Sequence, residues 1–180
     1  MAYFLIAAAA IMRLMPHLPN FAPIAAIALF GGTYLDKKYA LVIPLAAMLI
    51  SDIFLGFAEF WVTISIYLSF LIIGLLGIWL RKHKNPINLI AASLTGSLLF
   101  FILTNFAVWA ATGWYSKNLA GLLKCYLMAI PFFRNTVLGD LFYVAILFGL
   151  YELVNFLILR RLQWKKAKLL IYQKKISKSE

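Results

Sequence analysis

Arg13-Leu-Met-Pro16-His17-Leu-Pro19-Asn20-Phe-Ala22-Pro23-Ile-Ala-Ala26-Ile-Ala-Leu-Phe30-Gly31-Gly32 sets hydrogen-bonding side chains between two short apolar segments, the second built from Ala and Gly. In water this would be an ordinary loop. In a lipid-embedded chain it reads as a cap over a ligand, joined to a helix made for close packing.

Composition puts the chain in lipid. Of its 180 residues 64% are hydrophobic and 13% charged, with mean hydropathy +0.92, which no soluble fold of this size could hide. A spanning helix needs roughly 20 apolar residues. Phe132–Leu159, Ile87–Trp109 and Trp61–Leu80 meet that length, and Tyr39–Leu55 nearly does. Ala2–Met15 and Phe21–Leu35 are shorter, and either thin the bilayer locally or form a re-entrant hairpin. The expected fold is an all-α integral membrane bundle of six transmembrane helices over residues 1–159, followed by a basic amphipathic tail, 160–180.

Charge distribution gives the orientation. The net charge of +11 comes from basic residues that, apart from Arg13, Lys117, Lys124 and Arg134, follow the second, fourth and last segments. By the positive-inside rule both termini are cytoplasmic and the protein is a multi-pass component of the inner (plasma) membrane. The tail keeps Leu162, Trp164, Leu169, Leu170, Ile171 and Tyr172 among its lysines, so it reads as a cytoplasmic helix on anionic lipid rather than a nucleic-acid binder. No cleavable signal peptide is expected, since Arg13 follows the first apolar stretch instead of preceding it.

Local signals fill in the linkers. Asn85-Pro86 opens the fifth segment as a cap plus first-turn proline. Pro44 is expected to kink the third segment. Leu119–Ile130 reads as an interfacial helix on the outer surface, ended by Pro131, and Trp109, Trp114 and Tyr115 mark the outer aromatic belt. Ile50-Ser51-Asp52-Ile53-Phe54 and Leu138-Gly139-Asp140-Leu141-Phe142 share one pattern, which is either coincidence or the trace of an inverted repeat.

Ionisable and amide side chains at membrane depth are functional candidates. Here they share a level: Asp52 ends the third segment, Asn105 lies near the outer end of the fifth, Asn135 and Asp140 begin the sixth, and Arg13, His17 and Asn20 belong to the first outer loop. Each also has a structural reading. Asn20 could cap the second helix, Asp52 and Asp140 could pair with Arg13 or Arg134, and His17 could be a plain loop residue. Ala22 and Ala26 form a small face that either docks a partner or packs inside the bundle.

Several activities are excluded. The chain has no phosphate-binding Gly-x-x-x-x-Gly-Lys-Ser/Thr loop, no Gly-x-Ser-x-Gly elbow and no His-Glu-x-x-His motif. Cys125 is the single cysteine, and His17 and His83 lie on opposite faces, so no metal site, cofactor or catalytic residue is expected.

The string from His17 to Gly32, with Pro44–Asp52, Leu99–Trp109 and Ile130–Asp140, resembles an uncharacterised family of bacterial membrane transport proteins over most of Arg13–Gly149. That family resembles in turn the S components of energy-coupling-factor (ECF) vitamin transporters. The resemblance implies a six-helix subunit that binds a vitamin-like solute near the outer face. It implies docking through small Ala faces, on the first helix in those proteins, to a transmembrane T component driven by two ATPases. On this reading the protein is a small-molecule importer subunit and not an enzyme. Its partners are a small-molecule substrate, membrane lipid and an ECF-type T component with ATPases, and no nucleic acid. His17, Asn20, Asp52, Asn105, Asn135 and Asp140 line its pocket, with Phe21, Tyr67, Phe101 and Trp109 as walls; a cobalamin-like ligand near His17 or Cys125 is a narrower variant. The rival expectations are a proton- or ion-coupled carrier or channel acting through Asp52 and Asp140, and a non-transporting scaffold.

Overall fold

The computed structural model describes the backbone of residues 1–176 and the side chains of residues 1–166. Six helices follow in order: α1 (Ala2–Arg13), α2 (Ile24–Tyr34), α3 (Val42–Leu55), α4 (Phe60–His83), α5 (Pro86–Ala111) and α6 (Leu119–Ile176). No strand occurs among the described residues. α4, α5 and the Leu119–Lys166 part of α6 are long and apolar enough to cross a membrane. α1, α2 and α3 have 12, 11 and 14 residues, only about 16–21 Å at 1.5 Å per residue. By contact the chain divides into Met1–Leu147 and Phe148–Glu180. The predicted tail from Arg160 begins within α6; side chains beyond Lys166, including Leu169, Leu170, Ile171 and Tyr172, lie outside the described residues.

Helix ends follow local chemistry. The Glu59 carboxylate accepts from the Trp61 and Val62 amides at 2.9 and 3.2 Å, starting α4. Asn85 Oδ1 accepts from the Asn88 amide at 2.7 Å, with Pro86 in the first position of α5 as expected. Two proline expectations are corrected. Pro44 does not interrupt the third helix but sits in its first turn, where its fixed φ suits the helix and a proline is tolerated. Pro131 does not end an outer helix: α6 runs through it without a break, so Leu119–Ile130 is the first part of a 58-residue helix. Membrane helices tolerate such a proline because neighbours and local adjustment satisfy the freed carbonyl.

α2 is the centre of the first unit. Every residue from Ile24 to Thr33 is buried, and Ala26, Ile27 and Phe30 are completely so. Between helices in lipid the attraction comes from van der Waals contact rather than water exclusion, so small residues that admit a close approach matter most. A Cβ on Gly32 would collide with the Gly74 carbonyl and the Gly77 backbone, and one on Gly77 with the Leu29 carbonyl. α2 and α4 therefore pack backbone against backbone. Thr33 donates to the Leu29 carbonyl at 2.8 Å and the Gly77 carbonyl lies at 3.1 Å, which ties the two further.

The unit's two ends differ in polarity. At one, Arg81 Nε donates to the Gly32 carbonyl at 2.6 Å and its Nη2 reaches Leu35, while Lys84 reaches the Tyr34 hydroxyl at 3.3 Å. The loop before α2 and the C-terminus of α3 meet at the opposite end, and the candidate site is there.

Candidate functional site

The loop over residues 14–23 is folded by an internal turn and held against α6. The Leu18 carbonyl accepts from the Phe21 amide at 2.9 Å, and Asn20 adopts φ 62°; proline followed by a positive-φ asparagine is the arrangement of a type II turn. Asn135 Nδ2 donates to the Pro19 carbonyl at 3.0 Å. Phe21 packs its ring against Phe142 and Tyr143, each at 5.7 Å, and a Cβ on Gly139 would come within 3.1 Å of the Phe21 Cα. Gly139 is thus the place where the loop backbone can lie on α6.

Beneath the loop is a cavity of about 230 Å³ lined by Arg13, His17, Asn20, Phe70, Phe100 and Asp140, among others. A second cavity of about 230 Å³ contains Asn20, Phe101, Asn105 and Phe133. The two share Asn20, Ile66, Phe100 and Thr136 as walls, so they adjoin. Taken together they reach the size of small-molecule sites, which start near ~300 Å³ and combine apolar walls with a few placed polar groups.

Asp52 and Arg13 form the site's flank. Arg13 Nη2 lies 2.6 Å from Asp52 Oδ1, and Asp52 Oδ2 accepts from the Tyr67 hydroxyl at 2.8 Å. Arg13 also donates to the Met48 carbonyl at 3.2 Å and to the Ser51 hydroxyl. Both oxygens of Asp52 are thus engaged, and its ion pair holds Arg13 at the cavity wall. Tyr67 belongs to this cluster and does not line either cavity.

Asp140 is different. It is 3% exposed, and Ser97 Oγ lies 2.6 Å from its Oδ2. Among the described residues no cation lies within ion-pair distance of it; Arg134, its candidate partner, is exposed. Its Oδ1 has no hydrogen bond, and Asp140 lines the first cavity.

The remaining predicted residues separate. His17 sits in the mouth, its ring nitrogens 2.9 and 3.2 Å from the Leu18 and Arg13 carbonyls. Asn20 does not cap α2, whose N-cap position is taken by Pro23; its side chain belongs to both cavities. Asn105 donates one side-chain amide hydrogen to the Phe101 carbonyl at 2.8 Å and lines the second cavity. Asn135 anchors the loop from outside the cavities. Trp109 donates to the Ser116 carbonyl at 3.0 Å in the α5–α6 loop, away from both. The partner face of Ala22 and Ala26 is corrected at Ala26, which is 0% exposed within the bundle; Ala22 is half-buried and lines the first cavity. α1, by contrast, keeps Ala7 exposed and Ala8 and Ala10 half-buried.

Sequence reasoning missed Ser97, Phe70, Phe100 and Thr136. A signal existed: Ser93 and Ser97, four apart in an apolar span, mark one inward helix face.

Fold and site define a helical protein with membrane-length apolar helices and, under a folded loop, a cavity with apolar walls and a few polar groups. The chain belongs to the family of unknown function DUF6580, which matches over residues 1–163 and so takes in both cavities and the loop above them. No curated protein and no solved structure matches it.

Proposed function

We propose that the protein is the substrate-binding, S-component-like membrane subunit of an importer for a small, vitamin-like solute. The observation that carries this reading is the pair of adjoining cavities beneath the Leu14–Pro23 loop, where Arg13, His17, Asn20, Asn105 and Asp140 converge between aromatic walls. In this reading all six helices traverse the plasma membrane, both termini are cytoplasmic, and the cavity faces outward. Support comes from the grouping of Arg81 and Lys84 with the C-terminal end of α2, opposite Arg13 and Asp52. The shortness of α2 costs little against lipid, because protein encloses it on all sides. The chain carries no nucleotide-binding loop, so uptake draws energy from a T component and its ATPases, which dock on the outward face of α1 and not on Ala22 and Ala26.

The test is solute retention. The full chain, purified in lipid nanodiscs, should release a defined small molecule on denaturation, detected by mass spectrometry. Thr136→Phe, which fills the shared wall, should abolish retention while the helical circular dichroism spectrum stays. Equal retention by both proteins rejects the site. Topology is checked separately by cysteines at Ser116 and Lys84 in a Cys125→Ala background. Labelling of position 84 from outside intact cells, by an impermeant reagent, would overturn the orientation.

A second reading, an ion-coupled carrier acting through Asp52 and Asp140, has one observation in its favour, the lack of a cation beside Asp140. The ion pair of Asp52 with Arg13 counts against the other half of it.

A further inference from the structure

The binding-subunit reading leaves the solute's chemistry open, and the charges around the cavity narrow it. The first cavity is lined by three ionisable side chains, Arg13, His17 and Asp140, and the second by none. The positive charge of Arg13 is already met by Asp52 at 2.6 Å. Asp140 receives one hydroxyl from Ser97 and nothing else. Asp140 is thus the ionisable group of this chamber that has no counter-charge beside it. An isolated buried carboxylate is costly unless a counter-charge or hydrogen-bond donors reach it.

The walls indicate what kind of counter-charge fits. Phe70 and Phe100 pack with tilted rings at 5.3 Å beside Ile24, Leu55 and Ile66 in the first cavity, and Phe101 and Phe133 likewise at 4.6 Å in the second. A bare metal ion would need several oxygen or nitrogen ligands, yet among the described residues no three His, Cys, Asp or Glu side chains gather. An apolar body with one charged nitrogen suits this lining, since aromatic faces attract a desolvated cation.

Resting on the binding-subunit reading, we propose that the site takes a monocationic organic solute. Its charged nitrogen lies against Asp140 Oδ1, and its apolar body runs past Phe100 and Asn20 into the second cavity. Anionic solutes, phosphorylated ones included, are rejected by the same carboxylate.

Three probes of matched shape test the charge: 2-phenylethylammonium, 2-phenylethanol and 3-phenylpropionate, titrated by equilibrium dialysis against the full chain in zwitterionic nanodiscs. Empty nanodiscs give the lipid background. The expected order is cation above neutral above anion, with at least a tenfold gap between the first two, as for a hydrogen bond to a charged group. Asp140→Asn should close that gap by weakening 2-phenylethylammonium at least tenfold. The wild-type comparison needs no variant, so it decides even if Asp140→Asn fails to fold. Equal or tighter binding of the neutral or anionic probe overturns the charge assignment and leaves the binding-subunit reading standing. So does displacement of 2-phenylethylammonium by equimolar sodium chloride. Absence of saturable binding by all three probes overturns the assignment too; if no solute is retained on purification either, the binding-subunit reading falls with it.

Discussion

Asp52 and Asp140 occupy matching five-residue patterns near the same end of the first unit, yet their surroundings are opposites. Asp52 has an arginine, a tyrosine hydroxyl and a serine one residue back that shares the arginine. Asp140 has a serine hydroxyl from α5 and an open oxygen toward a cavity. The residue before each aspartate accounts for much of the contrast. Ser51 helps to hold Arg13, whereas Gly139 has no side chain and lets the loop backbone lie close by. One aspartate is therefore tied into the cavity's flank, and the other keeps an oxygen open toward the cavity.

The largest expected effect comes from breaking the fastened side. Arg13→Met leaves Asp52 buried without its cation, and removing one partner of such a pair costs about 3–5 kcal/mol. Thermal unfolding in detergent should register that loss. The double variant Arg13→Met, Asp52→Leu should recover most of it, because no charge remains to be compensated. If Arg13→Met unfolds at the wild-type temperature, the ion pair does not hold the flank and the contrast between the aspartates disappears.

A smaller effect is expected from making the two patterns alike. Gly139→Ser reproduces the Ser-Asp sequence of positions 51 and 52, but its side chain meets the Phe21 backbone, where a Cβ would already lie at 3.1 Å. Overpacking of this kind costs about 1–3 kcal/mol. The strain falls on the loop, so cleavage of Leu14–Pro23 by added protease should accelerate before global unfolding does. Unchanged protection would mean that Gly139 is not what seats the loop.

These contrasts explain how far the sequence could be read. Apolar runs and caps were legible because they are local: the spans at Trp61–Leu80 and Ile87–Trp109 lie inside α4 and α5, and Asn85-Pro86 starts α5. The common level of Arg13, Asn20, Asp52 and Asp140 was legible from charge and segment order. Which of these groups pair was not, because Arg13–Asp52 and Ser97–Asp140 join different helices and depend on their rotation. Ala22 and Ala26 illustrate the same limit. A small face at helical spacing permits a close neighbour without saying which one, and the neighbours of α2 come from its own bundle. Gly74 and Gly77 completed that packing surface without standing out in an apolar run. Pro131 was misread because a proline ends helices in water but not of necessity in lipid.

The smallest expected effect is the most discriminating. Ser97 Oγ lies 2.6 Å from Asp140 Oδ2 and 3.1 Å from the Ser93 carbonyl, and a hydroxyl has a single proton for these two acceptors. In Asp140→Asn the new amide nitrogen can donate to Ser97 Oγ, freeing the serine to donate to the Ser93 carbonyl. Every hydrogen bond is kept, a buried ionisable group is removed, and the volume hardly changes. Stability should therefore move by no more than about 1 kcal/mol, since a well-satisfied substitution of this kind lacks any mechanism for a large loss. Retention of the bound solute should nonetheless fall at least tenfold, the loss expected when a charged partner is neutralised. Asp52→Asn should do the reverse, lowering stability by several kcal/mol through the orphaned Arg13 before it affects the solute directly. Measured side by side by thermal unfolding and solute retention, the two variants should part along separate axes. If both instead lower stability equally, Asp140 is a structural group like Asp52, and the cavity beside it has lost its ligand.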